Sequence, residues 1–378
     1  MSSRESRLRI DVLFMSGGHG GFENIVNQTA SYLVSHGASV RFVQLVSSNI
    51  NWATDDVTNV CLDMDKEHFD LDDARMQYAA LLTQGPVKPS LILATGWPYM
   101  IYVAKGASSD AALSVPVCAW PHDDLDYYAE GGSGDVSMFQ FADMSFAINN
   151  KIAEDIFRAF PKKPLYRINN CFHPAGIRYS ENRNTLKIAC VGRLSQKKVI
   201  PIILYALEQT KSPWELVLVG DGEDEAALRA LTKELQLQQR VHFLGWSDDP
   251  WSAVTDCRVH VISSIYEGAP LSLIEALACG MPVISTPVGI AEEVLTGSGC
   301  GFLVPFGKPD ALAAALDRLA AEQFTPEIAR RCKEQAAPYL PEATLYDFMC
   351  KTEACAGLTL LPQHFLPGKT ELYVRKTP

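Results

Sequence analysis

The chain starts the same construction twice. At 8–15 the apolar run LRIDVLFM leads into a glycine-rich break, SGGHGGFEN, and then into a segment with apolar residues at helical spacing, Ile25, Ala30 and Leu33, closed by Gly37. At 186–194 LKIACVGRL opens the same grammar again. It continues as WELVLVG (214–220), the helical EDEAALRALTKELQ, RVHFLG (240–245) and CRVHVISS (257–264). Strands alternating with helices across short connections fold as a parallel sheet covered on both faces. Two openings predict two doubly wound domains in tandem. The first half supplies further strands at 39–46 (SVRFVQLV), 90–96 (SLILATG), 115–121 (VPVCAWP) and 144–150 (MSFAINN).

The length of 378 residues is enough for two cores. The predicted layout is a Rossmann-like first domain over 1–170 and a linker over 171–185, where PLYRINNCFHPAGIRYSENRNT turns polar. A second Rossmann-like domain covers 186–340, followed by a helix and tail over 341–378 that return to the first. Ligands of open parallel sheets bind beyond the carboxyl ends of the strands, so the expected site is a cleft between facing domains.

Composition excludes several classes. Acidic residues number 44 against 33 basic, a net charge of −11, which opposes tracking a nucleic-acid backbone. Arg4, Arg7, Arg9, Lys162 and Lys163 read as solvated surface charges or a local basic patch. The ten cysteines are scattered without a Cys-x-x-Cys pair, as small core residues of a reduced compartment. The start, MSSRESRLRIDVLF, is too interrupted for a signal peptide, and no apolar run reaches a membrane span. These features predict a cytoplasmic protein.

A glycine-rich turn after a strand invites a dinucleotide reading, but Gly-x-Gly-x-x-Gly fails in both halves. Counted from Gly18 the third glycine is replaced by Glu23, counted from Gly17 the second is His19, and Gly192 is followed by Arg193 and Leu194. What remains is a glycine loop feeding a helix N-terminus, a place for an anionic group.

The stretch YEGAPLSLIEALACG at 266–280 holds Glu267 and Glu275 around an apolar run. Pro270 suits the first turn of a helix that Gly280 and Pro282 stop, leaving Glu267 in the preceding loop and Glu275 inside the helix. Eight helical residues span about 12 Å, too far for carboxylates that share a proton or work as a glycosidase pair. The two read instead as grips on different parts of one extended ligand, with the helix N-terminus facing a phosphate between them. GRLSQKK supplies cations for such a phosphate in Arg193 and Lys198, which taken alone read equally well as a solvent-facing pair.

These segments together resemble the retaining nucleotide-sugar glycosyltransferases of family 4, which have the two-domain GT-B fold. The resemblance runs through GRLSQKK, VLVGDGEDEAALRALTKELQLQQRVHFLGW, SSIYEG, YEGAPLSLIEALACGMPVISTPVGIAEEVL and GFLVPFGKPDALAAAL. In the first half it covers GGFENIVNQTASYLVSHGASV and PHDD. It implies that Arg193 and Lys198 contact the donor diphosphate, that Glu267 lies near the transferred sugar, and that Glu275 accepts from the ribose hydroxyls. Gly268, Ala269, Pro270 and Leu271 would stand at the helix N-terminus by the sugar and phosphate. Gly20 and Gly21 would approach the same diphosphate, and Leu244 to Trp246 would receive the nucleobase.

His122 would lie near the acceptor and the sugar; its alternative is a buried structural histidine. Asp123 and Asp124 invite a metal, but strand neighbours point to opposite faces and the family uses no metal and no other cofactor. Val199 stands where the family has glycine, so a different turn is expected after Lys198. His19 has no counterpart, and 47–89 carries no readable motif.

The implied reaction moves a sugar, with retention, from a nucleoside diphosphate sugar, uridine diphosphate by default, to a hydroxyl of a glycan or lipid-linked glycan. The implied setting is lipopolysaccharide or exopolysaccharide assembly, with peripheral inner-membrane contact. A nucleotide-sugar epimerase and a non-catalytic carbohydrate-binding protein of the same fold are the alternatives; a phosphorylase would need a pyridoxal-phosphate lysine, for which no signature is apparent.

Overall fold

A computed structural model of the chain describes residues 8–18, 20–48, 52–85, 88–172 and 186–357. His19, most of the predicted linker and the tail from 358 lie outside the described residues. Contacts divide the chain into two compact units: the residues up to Cys171 together with those from Pro341, and Phe172–Leu340.

The first unit is built on a seven-stranded parallel sheet. In chain order its elements are β1 (Arg9–Phe14), α1 (Gly21–Ser35), β2 (Ser39–Gln44), β3 (Thr58–Cys61), α2 (Leu71–Gln84), β4 (Leu91–Thr95), α3 (Tyr99–Asp110), β5 (Val117–Trp120), α4 (Leu125–Glu130), β6 (Met144–Ala147), α5 (Asn150–Ala159) and β7 (Leu165–Arg167). The strand order is β3-β2-β1-β4-β5-β6-β7. Central strands β4 and β5 are buried at every position, as a parallel strand covered on both faces must be.

The one buried charged residue of β1, Asp11, accepts two hydrogen bonds from Arg41 of β2, at 2.9 and 2.6 Å, and one from the Tyr78 hydroxyl of α2 at 2.8 Å. That network pins α2 to the sheet. The region without a readable motif therefore contributes an edge strand and a packed helix. It also contributes Trp52, stacked on Phe42 and edge-on to Phe14.

The second unit repeats the plan with six parallel strands in the order β10-β9-β8-β11-β12-β13. Its elements are β8 (Leu186–Val191), α6 (Pro201–Gln209), β9 (Trp214–Val219), α7 (Glu225–Glu234), β10 (Val241–Phe243), β11 (Val259–Ile262), α8 (Leu271–Ala278), β12 (Val283–Ser285), α9 (Ala291–Leu295), β13 (Gly301–Leu303), α10 (Pro309–Ala321) and α11 (Pro326–Ala336). Two apolar clusters fill the faces of the sheet. One gathers Leu273, Ile274 and Leu277 of α8 with Val217, Ile290 and Cys332; the other gathers Ile203, Leu204 and Leu207 of α6 with Ile188, Leu216 and Leu316. The last described helix, α12 (Pro341–Cys355), belongs to the first unit. Its Phe348 packs on Trp120 and Phe146, and Lys351 donates to the Arg167 carbonyl at 2.7 Å.

In each sheet the first strand lies inside, and the chain winds outward to one side before crossing over it. The reversal falls between β1 and β4 in the first unit and between β8 and β11 in the second. Loops leaving the carboxyl ends of strands at such a switch point diverge and open a crevice. The loops after β8 and β11 carry Arg193, Lys198 and Glu267, and the loop after β1 carries Gly20. All ten cysteines are free, and seven of them are buried.

Candidate functional site

The carboxyl end of β8 runs through Gly192 and Arg193 into a single 3-10 turn at Gln196–Lys198. Arg193 is exposed, and it lines a pocket together with Gly192, Lys198, Ser263, Ser264 and Ser272. Val199, directly after the lysine, takes the left-handed conformation at φ 45° and ψ 43°. That region is natural for glycine and strained for a β-branched residue. The turn therefore has a backbone that glycine adopts without strain, held here by a valine.

Lys198 meets Glu267 across the switch point. The ammonium donates to Glu267 Oε1, and the Ser264 hydroxyl donates to the same oxygen at 2.8 Å. Glu267 is buried, 8% exposed. Burial opposes its charge, but Lys198, Lys197 and the Ser264 bond outweigh burial and hold the carboxyl below its ordinary range. The loop that carries it is clamped from β12: Thr286 Oγ1 donates to the Ser264 carbonyl at 2.6 Å. Gly289 sits at φ 53° against the backbone of Glu267 and Gly268, where a Cβ would fall 2.5 Å from the Gly268 oxygen. Thr286 and Gly289 were not legible as site residues, because each acts through a tertiary contact, whereas Ser264 reaches Glu267 from three positions away.

Pro270 is the residue before α8, in extended conformation, rather than inside the first turn. The helix itself begins at Leu271, with no side chain capping it, so its first N–H groups face the loop of Gly268 and Ala269. Glu275, one turn on, has a different setting. Its Oε2 accepts from the Trp251 indole N–H at 3.0 Å, and burial pushes its carboxyl up to about 7 despite that bond. Trp251 was not singled out from sequence; its loop carries no recognisable pattern. Glu267 and Glu275 share no hydrogen bond.

Leu244 and Trp246 follow β10 and are among the most exposed large apolar side chains, at 50% and 57%. Between them Gly245 is tied to Gly220 by a backbone bridge, with Gly220 N–H donating to the Gly245 carbonyl at 2.8 Å.

In the first unit the loop after β1 ends at Gly20, and α1 begins at Gly21 without a side-chain cap. Gly17 is required by packing: a Cβ there would lie 1.9 Å from the Trp52 ring. His122, just past β5, is wedged between the Phe22 and Trp120 rings at 5.0 and 4.5 Å. Its backbone N–H donates to the Tyr128 hydroxyl at 3.2 Å, and its buried Nε2 has no hydrogen-bond partner among the described residues. Burial pushes its pKa down to about 3, so the ring is neutral.

Asp124 caps α4 through Asp126 N–H and pairs with Lys151 at 2.9 Å. Its carboxylate is thus occupied structurally. Among the described residues no group of three or more His, Cys, Asp or Glu is placed to hold a metal ion. A cavity of about 230 Å³ in the second unit lies at the opposite end of its sheet, lined by Arg258, Pro282, Phe302, Arg318 and Phe324. None of the predicted site residues lines it.

Two Rossmann-like parallel sheets, the second with a lysine–glutamate pair at its switch point, define a GT-B architecture. Residues 178–338 match the family model described as Glycosyl transferases group 1, so this part of the chain is a domain of that family. Among curated relatives, the lipopolysaccharide 1,6-galactosyltransferase of Escherichia coli K12 is 28% identical over 209 residues, 52% of this chain and 56% of that protein. The chain thus spans about half the length of the curated relatives it matches first. Among solved structures, the apo lipopolysaccharide outer core galactosyltransferase WaaB has a TM-score of 0.73 at 19% identity, covering 90% of this chain and 98% of that one. HepE of Anabaena, in complex with UDP and glucose, has a TM-score of 0.74 at 21% identity, covering 92% and 100%. Both likenesses establish the fold.

Proposed function

We propose that this protein transfers a sugar, with retention, from a nucleoside diphosphate sugar to a hydroxyl of a glycan or lipid-linked glycan. The observation that carries the reading is the buried Lys198–Glu267 pair, braced by Ser264 and Thr286 at the switch point of a Glycosyl transferases group 1 domain. Relatives named for lipopolysaccharide galactosyl transfer, and a like-folded protein holding UDP and glucose, support the substrate class.

In this reading the bond from the anomeric carbon to the diphosphate oxygen breaks as the acceptor oxygen bonds to the same face. The acceptor proton passes to a phosphate oxygen of the leaving group. Negative charge grows on the diphosphate, and Arg193, the α8 N-terminus and Lys198 offset it. An ammonium has three donors, so Lys198 can keep Glu267 while meeting a phosphate oxygen. Glu267 stays ionised beside the sugar, where positive charge develops. Glu275 holds the ribose, Leu244 to Trp246 take the base, Gly20 and Gly21 meet the diphosphate, and neutral His122 faces the acceptor. In this reading the cations and the helix N-terminus meet the diphosphate charge, and the reading calls on no metal or other cofactor.

Among the described residues no helix is long and apolar enough to cross a membrane. A lipid-linked acceptor would then be met by peripheral contact, read by co-sedimentation with anionic vesicles at low salt. The deciding experiment is a thermal-shift panel of UDP, ADP, GDP and CDP, followed by transfer assays with the matching sugar donors. A ligand that binds the folded state raises its stability, by about 2.7 kcal/mol at a hundredfold excess over Kd. The expected result is a shift with UDP and a product whose anomeric proton coupling matches that of the donor. No shift with any nucleoside diphosphate, or an inverted product, overturns the reading.

A further inference from the structure

Trp251 precedes the 3-10 turn at Ser252–Val254 and is buried, 4% exposed. Its ring stands edge-to-face against His260 of β11, with centroids 5.6 Å apart and planes at 79°. His260 is fully buried, and its Nδ1 lies 3.1 Å from the Ala189 carbonyl of β8. A chain of contacts thus runs from the central strand through an imidazole to an indole, and from the indole N–H to Glu275 Oε2 at 3.0 Å. The indole itself belongs to the core cluster that Trp251 shares with Leu273, Ile274 and Leu277.

The indole N–H is a donor only, and its partner must be an acceptor. It therefore commits Oε2 and leaves Oε1, which has no hydrogen-bond partner among the described residues and is not among the buried unpaired atoms. Glu275 as a residue keeps partial exposure while its neighbours Ile274, Ala276 and Leu277 have essentially none. Of the elements packed on α8, β11 turns His260 toward Trp251, and α11 pairs Glu327 with Arg330 and Arg331 among its own charges. Among the described residues no cation pairs with the Glu275 carboxylate, and the indole bond steadies its ionised form against burial.

We propose that Trp251 is the positioning residue for nucleoside binding, holding Glu275 by one oxygen so that the other meets the vicinal hydroxyls of the ribose. This rests on the function proposed above, specifically on Glu275 as the ribose grip. Two hydroxyls are donors toward a carboxylate, so binding requires the ionised form and is coupled to release of a proton near neutral pH.

The test compares wild type with Trp251→Phe, which keeps the ring and deletes the N–H, by calorimetric titration of UDP and of 2′,3′-dideoxy-UDP at pH 6 and pH 8. Loss of a hydrogen bond to a charged group is expected to weaken UDP about tenfold. The dideoxy analogue, lacking the diol, should bind both proteins alike, and kcat should change by less than about twofold once donor saturates. A carboxyl carbon-13 titration, with Glu275→Gln to assign the signal, should show the Glu275 midpoint raised in Trp251→Phe. Equal weakening of UDP and its dideoxy analogue, or an unmoved Glu275 midpoint, overturns the proposal while leaving the function standing. Failure of wild type to bind any nucleoside diphosphate overturns the function and this proposal with it.

Discussion

Glu267 and Glu275 are the same residue type, eight positions apart on one loop and helix, and their surroundings differ in kind. Glu267 lies against a lysine and a serine, and its carboxyl titrates below the ordinary range although it is buried. Glu275 lies against an indole, with no cation paired to it among the described residues, and burial lifts it to about 7. Burial alone therefore does not decide a carboxylate's charge; the partner across the fold does. A glutamate that is always ionised suits a place beside developing positive charge, and one that titrates near neutrality suits a group that must accept hydrogen bonds on demand.

The contrast can be broken most severely at Lys198. Lys198→Ala leaves Glu267 buried without its cation and removes a donor to the leaving group, so transfer should fall by about a thousandfold, roughly 4 kcal/mol. Steady-state kinetics with the donor found in the thermal-shift panel measures it, and a change under tenfold would remove Lys198 from the machinery.

The next largest effect is on pH dependence. Glu275 binds its proton more tightly folded than unfolded, at about 7 against an ordinary 4.5. Its contribution to stability is therefore full below 4.5 and is lost as pH rises through 7, by up to about 3 kcal/mol. Glu267 works in the opposite sense: its contribution is present above the ordinary value and is lost as pH falls through its depressed folded value. Urea unfolding from pH 4.5 to pH 8 should show that Glu275→Gln flattens the decline. An unchanged slope would mean that Glu275 is ionised throughout.

Gly289→Ala sharpens the comparison on the Glu267 side only. The added Cβ meets the Gly268 oxygen at 2.5 Å in a left-handed backbone, so the fold should lose about 2 kcal/mol and the Glu267 loop should shift. Transfer should fall while the Glu275 titration stays unmoved. The smallest effect is a gain: Val199→Gly removes left-handed strain at the cost of unfolded-state entropy, a net stabilisation of about 1 kcal/mol. A loss of stability in urea unfolding would show that the valine side chain packs well enough to offset its backbone.

Much of the architecture was legible in the sequence. The runs that became β1, β4, β8 and β9 are mainly apolar, with charge confined to Arg9, Asp11, Lys187 and Glu215, and a strand covered on both faces favours that pattern. Strand ends were less legible, since the run read as a strand over 257–264 forms β11 only over Val259–Ile262. The helix α2 escaped notice because Arg75, Gln77 and two aspartates dilute its periodicity, while what fastens it, Tyr78 to Asp11, spans 67 positions. For the candidate site, Lys198, Glu267 and Glu275 could be picked out by spacing and resemblance. Trp251, Thr286 and Gly289 could not, since each touches the site from a different loop.

What the sequence determined by itself is local and periodic: which segments are strands, which are helices, where glycine and proline interrupt them, and that the plan is made twice. What only the tertiary structure decided is the chemistry of the groups those segments carry. The proton affinity of a carboxylate depends on charges and dipoles within a few ångströms. The neighbours that set it lie 69 residues away for Glu267 and 24 for Glu275, so no local pattern could have told the two glutamates apart.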